Sequence, residues 1–354
     1  MKNDNQEQIV ATSLNQVNAL QATNFISRIL SADRVANLLG SPGIGKSDII
    51  KEIAKKYALK VIDFRLAQAD PTDLMGLPFA LPETNRSGFM PPEIFPLEND
   101  PIPKGYSGWL LFFDEMSSAP ISVQAAAYKI ILDREVGKFK LHSNVRIICA
   151  GNLTTDKAIV NKLSTAMQSR LLHMTLTVNP ELWLDWADEH NIDYRIKAWI
   201  RFNPKALHQF EPKKHHDLTF PCPRTWEFLS DLLKDIPVIS LEFLPLFAGT
   251  IGEGQANEFL SFTNIYKELP TIDDIKTQPD IAKVPTEPSA MYAVTELITH
   301  HFDKTTAKDI IRYVVRLPPE FQMISLMNKI KREKTLAKIP EIQNWILKYA
   351  TELL

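Results

Sequence analysis

The 354-residue chain carries 40 basic and 42 acidic side chains, a formal net charge of −2, with 45% hydrophobic and 23% charged residues. So even a balance gives no whole-molecule pull toward nucleic acid or an anionic lipid surface, and the length exceeds the usual single-core size, predicting two or three domains. Cys149 and Cys222 lie far apart, no signal-peptide core opens the chain and no apolar run approaches membrane-spanning length; a reduced, cytoplasmic chain without a disulfide framework or membrane segment is the expectation.

Residues 1–34 are polar at first, then weakly helical in period through Leu14, Val17, Leu20, Phe25, Ile26 and Ile29. The apolar run Val35-Ala36-Asn37-Leu38-Leu39 predicts a short buried strand, and the segment 48–57 repeats apolar residues at 49, 50, 53, 54 and 57 with a helical period. Between them stands Gly40-Ser41-Pro42-Gly43-Ile44-Gly45-Lys46-Ser47, a match to G-x-x-x-x-G-K-[ST] in the strand–loop–helix setting that a phosphate site requires. Its glycines let backbone N–H groups curl around phosphate oxygens, and the helix N-terminus adds partial positive charge. Gly40, Pro42, Gly43, Ile44, Gly45, Lys46, Ser47 and Asp48 form the candidate nucleotide site, with Lys46 reaching the terminal phosphates and the Ser47 hydroxyl ligating Mg²⁺. The expected ligand is a nucleoside triphosphate.

Further apolar runs at 61–66, 109–113, 145–150 and 172–178 alternate with helical segments, which predicts an α/β domain around a parallel sheet. Prolines at 71, 78, 82, 91, 92, 96, 101 and 103 rule out a long helix between 67 and 108, which reads as a long, partly irregular insert. The run 109–113 ends in Asp114-Glu115. At the carboxyl end of a parallel strand, Asp114 is placed to hold Mg²⁺ together with Ser47. Glu115, on the strand's other side, is the candidate base for an attacking water. Asn152 follows the fourth run and could contact the γ-phosphate or that water, although an Asn after Gly151 also reads as a plain turn residue. Arg170, just before the last run, could reach a neighbouring subunit's γ-phosphate. Arg224 opens a helix after Pro221-Cys222-Pro223, an unfavourable end for a cation, which hints at a task such as reaching bound phosphate from a second domain. For both arginines the plain alternative is a surface or ion-paired side chain.

From Asn179 onward strand signals vanish; helices are expected at about 181–190, 193–202, 224–234, 240–249, 253–266, 289–302, 305–316, 319–332 and 340–353, with a polar, proline-rich seam from Pro270 to Pro288. The adjacent pairs His215-His216 and His300-His301 point apart on a helix and make poor metal clamps. The basic runs Lys213-Lys214 and Lys329–Lys334 could touch nucleic acid, the second reading first as the solvated face of an amphipathic helix, and the six tryptophans read as packing.

Taken in order, the motifs resemble AAA+ ATPases, specifically the MoxR-like group with an insert near the second helix. Gly40–Ser47, Leu110–Glu115, Asn152, Arg170 and Arg224 match that family's Walker A, Walker B, sensor 1, arginine finger and sensor 2. The stretch Arg65–Pro78 resembles the start of the group's insert, and Gln124–Val136 with Gly137–Leu141 its helix and hairpin ahead of sensor 1. The likeness covers about residues 10–270. It implies a P-loop NTPase fold: a five-stranded parallel sheet with helices on both faces (1–180, insert about 67–108), an all-α lid (181–270) and a C-terminal helical segment (271–354). It also implies an Mg²⁺-dependent, ATP-hydrolysing ring, usually of six subunits, with ATP at each boundary, Arg170 acting on the neighbour's nucleotide and Arg224 in cis. Relatives act as chaperone-like remodelling machines on protein clients, sometimes beside a partner with a von Willebrand factor A domain. Two other functions remain open: a slow nucleotide-gated scaffold and, less favoured by the charge balance, a nucleic-acid motor.

Overall fold

The apolar runs Val35–Leu39, Gly108–Asp114 and Val145–Gly151 bury residues on both faces, the pattern of a parallel sheet covered by helices on either side. The computed structural model describes residues 14–156, 161–212 and 217–349. In chain order the strands are β1 (Gln16–Val17), β2 (Val35–Leu39), β3 (Leu59–Arg65), β4 (Leu77–Leu81), β5 (Arg86–Met90), β6 (Gly108–Asp114), β7 (Glu135–Val136), β8 (Phe139–Lys140), β9 (Val145–Gly151) and β10 (Leu171–Leu176). Six of them form one all-parallel sheet in the order β1-β10-β2-β9-β6-β3.

Residues along β6 alternate between the two faces, as a pleated strand requires. Leu111 and Phe113 pack with Ile147, Cys149 and the helix Ile121–Asp133, whereas Leu110 and Phe112 pack with Ile148, Ala150 and the helices Ala19–Ser31 and Lys46–Lys56. The α/β sandwich with the phosphate loop after β2 is a P-loop NTPase fold. The sheet has six strands where five were expected. The additional one, β1, has only two residues, too few to show a period, and pairs with Thr175 and Leu176. Cys149 and Cys222 are both buried and free, and burial pushes the Cys149 thiol far above its ordinary range.

The proline-rich stretch 67–108 is more ordered than its composition predicts. It holds a short helix, Pro71–Met75, and the antiparallel hairpin β4–β5. The prolines exclude a long helix but leave room for a two-stranded ribbon, in which Pro78 lies opposite Phe89. Gly76 joins helix to hairpin at φ +89°, and a Cβ there would stand 1.9 Å from the Met90 carbonyl oxygen.

The chain divides into two compact units, one running through Asn179 with 211–215, the other comprising Pro180–Phe210 and His216–Leu354. Prolines open the second unit's helices Pro180–Glu189, Pro223–Leu233, Pro288–His301, Pro319–Arg332 and Pro340–Tyr349, where a missing N–H costs nothing. Within the polar stretch 270–288 a short helix, Ile272–Thr277, buries Ile275 in the same core as Val294, Ile298, Ile310, Val314, Leu326 and Trp345. A buried ion cluster fastens this unit internally. Lys197 Nζ lies 2.6 Å from Asp188 and 3.4 Å from Glu296, Arg201 pairs with the same Glu296, and Arg332 lies 3.0 Å from Asp188. Burial alone would lower the Lys197 ammonium, but Glu296 and Asp188 outweigh it and hold its pKa above the ordinary value. Glu296→Ala is expected to cost about 3 kcal/mol, because it leaves the buried cations Lys197 and Arg201 to share Asp188; a denaturant midpoint unchanged from wild type would contradict this.

The pairs His215-His216 and Lys213-Lys214 lie outside the described residues. Among the described residues no helix is long and apolar enough to cross a membrane.

Candidate nucleoside-triphosphate site

The loop Gly40–Ser47 runs from the end of β2 into the helix Lys46–Lys56. Gly43 and Gly45 turn it with φ of +74° and +88°, values that side chains with a Cβ resist. At Gly45 a Cβ would meet nothing within 4 Å, so the requirement there is conformational. Gly40 sits in tight space: a Cβ would stand 2.7 Å from Ile44 Cδ1, which folds inward under the loop, and 3.2 Å from the Leu176 carbonyl oxygen. The Gly40 N–H donates to the Gly151 carbonyl at 3.2 Å, which stitches the loop to the end of β9. Ile49, Ile50, Ile53 and Ala54 bury one face of the following helix and fix its N-terminus beneath the loop. Asp48 stands in the first helical turn, exposed.

Lys46 folds back across the mouth of the loop. Its ammonium donates to the carbonyls of Gly40 (2.6 Å) and Ser41 (2.9 Å) and to Oδ1 of Asn152 (3.2 Å). Asn152 is itself anchored, since Ser117 Oγ donates to its carbonyl at 3.0 Å. Gly151 makes that approach possible: a Cβ would sit 2.5 Å from the Ser117 hydroxyl oxygen.

Asp114 ends the fully apolar run of β6 and turns its carboxylate toward the same loop. Its Oδ2 accepts from the Ser47 hydroxyl at 3.5 Å and its Oδ1 from the Glu115 N–H at 2.8 Å. A hydroxyl and a carboxylate side by side, both hard oxygen donors at a phosphate-binding loop, fit an Mg²⁺ ion that completes its shell with phosphate and water. Among the described residues no group of three or more His, Cys, Asp or Glu forms a protein-only cage.

Glu115 adopts φ +57° and ψ +31°, a left-handed conformation uncommon for a residue with a side chain. Its Oε1 lies 3.6 Å from Arg65 Nη1. Arg65 closes β3 and sits in register with Asp114. The pairing therefore exists only once β3 and β6 are neighbours, and no local pattern in the sequence reveals it.

Asp156 is a further acid at the loop. It lies in the turn Thr154–Asp156 just beyond Asn152, is 8% exposed, and its Oδ2 has no hydrogen-bond partner. Burial pushes its carboxyl pKa up, against the opposing influence of the Ser41 hydroxyl, the Leu153 backbone and the Lys46 charge. No motif names this residue, and the only trace in the sequence is its position after the β9 strand.

The structure thus brings Lys46, Ser47, Asp114, Asn152 and Asp156 together around one loop, with Glu115 beside it. Arg170 is exposed after the short helix Thr165–Gln168. Its Nη1 donates to the Ala166 carbonyl at 3.0 Å, and its guanidinium lies 5.6 Å from the Tyr128 ring centroid. Arg224 is exposed in the first turn of the helix Pro223–Leu233, within the helical unit.

No family model matches the sequence, and no curated protein matches it. Among solved structures, a candidate ATPase from Cytophaga hutchinsonii is 12% identical, over 90% of this chain and 84% of that one, with a TM-score of 0.38. A mutant RuvB of Thermotoga maritima is 16% identical over 68% of each chain, with a TM-score of 0.39. A second RuvB mutant of that bacterium is 16% identical over 72% of this chain and 69% of its own, with a TM-score of 0.38. Likeness at this level carries no argument about activity.

Proposed function

We propose that the chain is an Mg²⁺-dependent ATPase of AAA+ type, similar to the MoxR-like group, which assembles into a six-membered ring and remodels protein complexes. The observation that carries this reading is the convergence of Lys46, Ser47, Asp114 and Asn152 on the mouth of one glycine-turned loop.

The backbone N–H groups of Gly43–Ser47 and the helix N-terminus bind the phosphates. Lys46 exchanges the carbonyls of Gly40 and Ser41 for the β- and γ-phosphate oxygens. Ser47 and Asp114 would hold Mg²⁺, which when bound neutralises charge on the phosphates. Glu115 takes the proton of the attacking water, for which its carboxylate must turn away from Arg65. Asn152 orients the water or the γ-phosphate. The exposure of Arg170 supports a role in trans, where its guanidinium would stabilise transition-state charge on a neighbour's nucleotide. Residues 181–270 act as the lid, from which Arg224 reaches phosphate in cis, and 271–354 contribute to client or partner recognition. A von Willebrand factor A protein is the class of partner this reading favours.

Phosphate release from ATP tests the proposal. The rate per chain should rise as subunits associate and should vanish on chelation of Mg²⁺. The Arg65–Glu115 pair favours a second reading, a slow nucleotide-gated scaffold in which the base stays tethered. A rate that stays slow at every protein concentration, despite saturable ATP binding, would select the scaffold.

A further inference from the structure

Asp156 has no part in the mechanism above, yet it is a buried acid placed against the phosphate loop. The ammonium of Lys46 stands between the Ser41 carbonyl and Oδ1 of Asn152. Asp156 lies within reach of the Ser41 hydroxyl and of the Lys46 charge. The place where that ammonium stands is therefore bordered by Ser41, Asn152 and Asp156 together. A P-loop lysine follows the β- and γ-phosphates, so a terminal phosphate held by Lys46 comes to lie near Asp156. Two anions in a partly dry setting repel far more than they do in water. The burial of Asp156, 8% exposed with Oδ2 unpartnered, leaves little water to screen that repulsion. Among the described residues, Lys46 is a charged group that faces it.

Resting on the assignment of the loop as a triphosphate site, we propose that Asp156 is a specificity-determining residue whose carboxylate opposes the terminal phosphate and weakens the preference for ATP over ADP. The acid competes with the γ-phosphate for Lys46, so the empty loop keeps its lysine partly neutralised and the filled loop holds ATP less tightly than the cradle alone would. ADP ends one phosphate short of the acid and feels it less. AMP, without β- and γ-phosphates, feels it least.

Calorimetric titration of the full chain with ATP, ADP and AMP tests this, comparing wild type with Asp156→Asn, which removes the charge and keeps the shape. ATP affinity should rise roughly tenfold, the effect of relieving one like charge, ADP affinity should rise less, and AMP affinity should not change. Asp156→Ala, whose expected shift is the same, carries the test if the Asn variant does not fold, and Asp156→Glu should retain the wild-type ratio. An ATP affinity that is unchanged or weaker in the neutral variants, or an equal gain for ATP and ADP, would overturn the proposal. Should wild type bind ATP and Lys46→Ala lose it while Asp156→Asn behaves as wild type, this inference fails and the loop assignment stands. Absence of ATP binding to wild type would overturn both.

Discussion

Lys46→Ala is expected to weaken ATP binding by on the order of 10² to 10⁴-fold. The ammonium donates to the Gly40 and Ser41 carbonyls and to Asn152 Oδ1. All three acceptors are neutral oxygens, and exchange for phosphate oxygens converts them into contacts between full charges. Each contact of that kind contributes about 1.5–3 kcal/mol, and two of them correspond to about 3–6 kcal/mol of affinity, at tenfold per 1.4 kcal/mol. The glycine-turned backbone and the helix N-terminus remain in the variant, so residual binding is expected, carried by the N–H groups. The fold should survive, because the hydrophobic face of the helix, Ile49, Ile50, Ile53 and Ala54, does not involve Lys46. Direct titration with ATP checks this, and an affinity equal to wild type would remove the loop from the account.

Glu115→Gln is expected to behave in the opposite way, retaining ATP affinity within a few-fold while hydrolysis falls roughly 10² to 10⁴-fold, the usual worth of a positioned general base. The substitution keeps size and hydrogen-bonding capacity and removes only the basic oxygen. It also breaks the ion pair with Arg65, but at 3.6 Å between side chains that are 52% and 32% exposed that pair contributes no more than about 1 kcal/mol. The left-handed backbone at Glu115 is as accessible to Gln as to Glu. Single-turnover phosphate release, measured beside retention of ATP on the protein, separates binding from chemistry. Near-normal turnover in this variant would show that another group activates the water.

What the sequence displays of this site is what lies close together along the chain. Gly40–Ser47 is contiguous, and the apolar strand before it and the helical period after it supply its context between residues 35 and 57. Asp114-Glu115 is legible for the same reason, as two acids ending an apolar run. The contacts that join these pieces are not written in any local pattern. Arg65 reaches Glu115 because β3 and β6 run parallel in register. Asn152 meets Lys46 because β9 lies beside β2, 106 positions apart in the chain. Asp156 looks like an ordinary turn acid until the end of β9 is set against Ser41. In the fold, β1 is too short to carry a period, and the hairpin β4–β5 is masked by prolines that forbid a helix but tolerate an open edge. The polar stretch 270–288 hides Ile275, which is fully buried.

The claim on which the rest depends is that hydrolysis occurs in a centre built from the Gly40–Ser47 loop and Glu115 of one molecule and Arg170 of another. The most direct measurement mixes two variants, Glu115→Gln and Arg170→Ala, each expected to be inactive alone, Arg170→Ala by about 10³-fold. Wherever an Arg170→Ala subunit presents its intact loop and Glu115 to the Arg170 of a Glu115→Gln neighbour, a complete centre forms. The account predicts that phosphate release from ATP, absent in either protein alone, returns on mixing. A mixture that stays silent while wild type turns over ATP would contradict it.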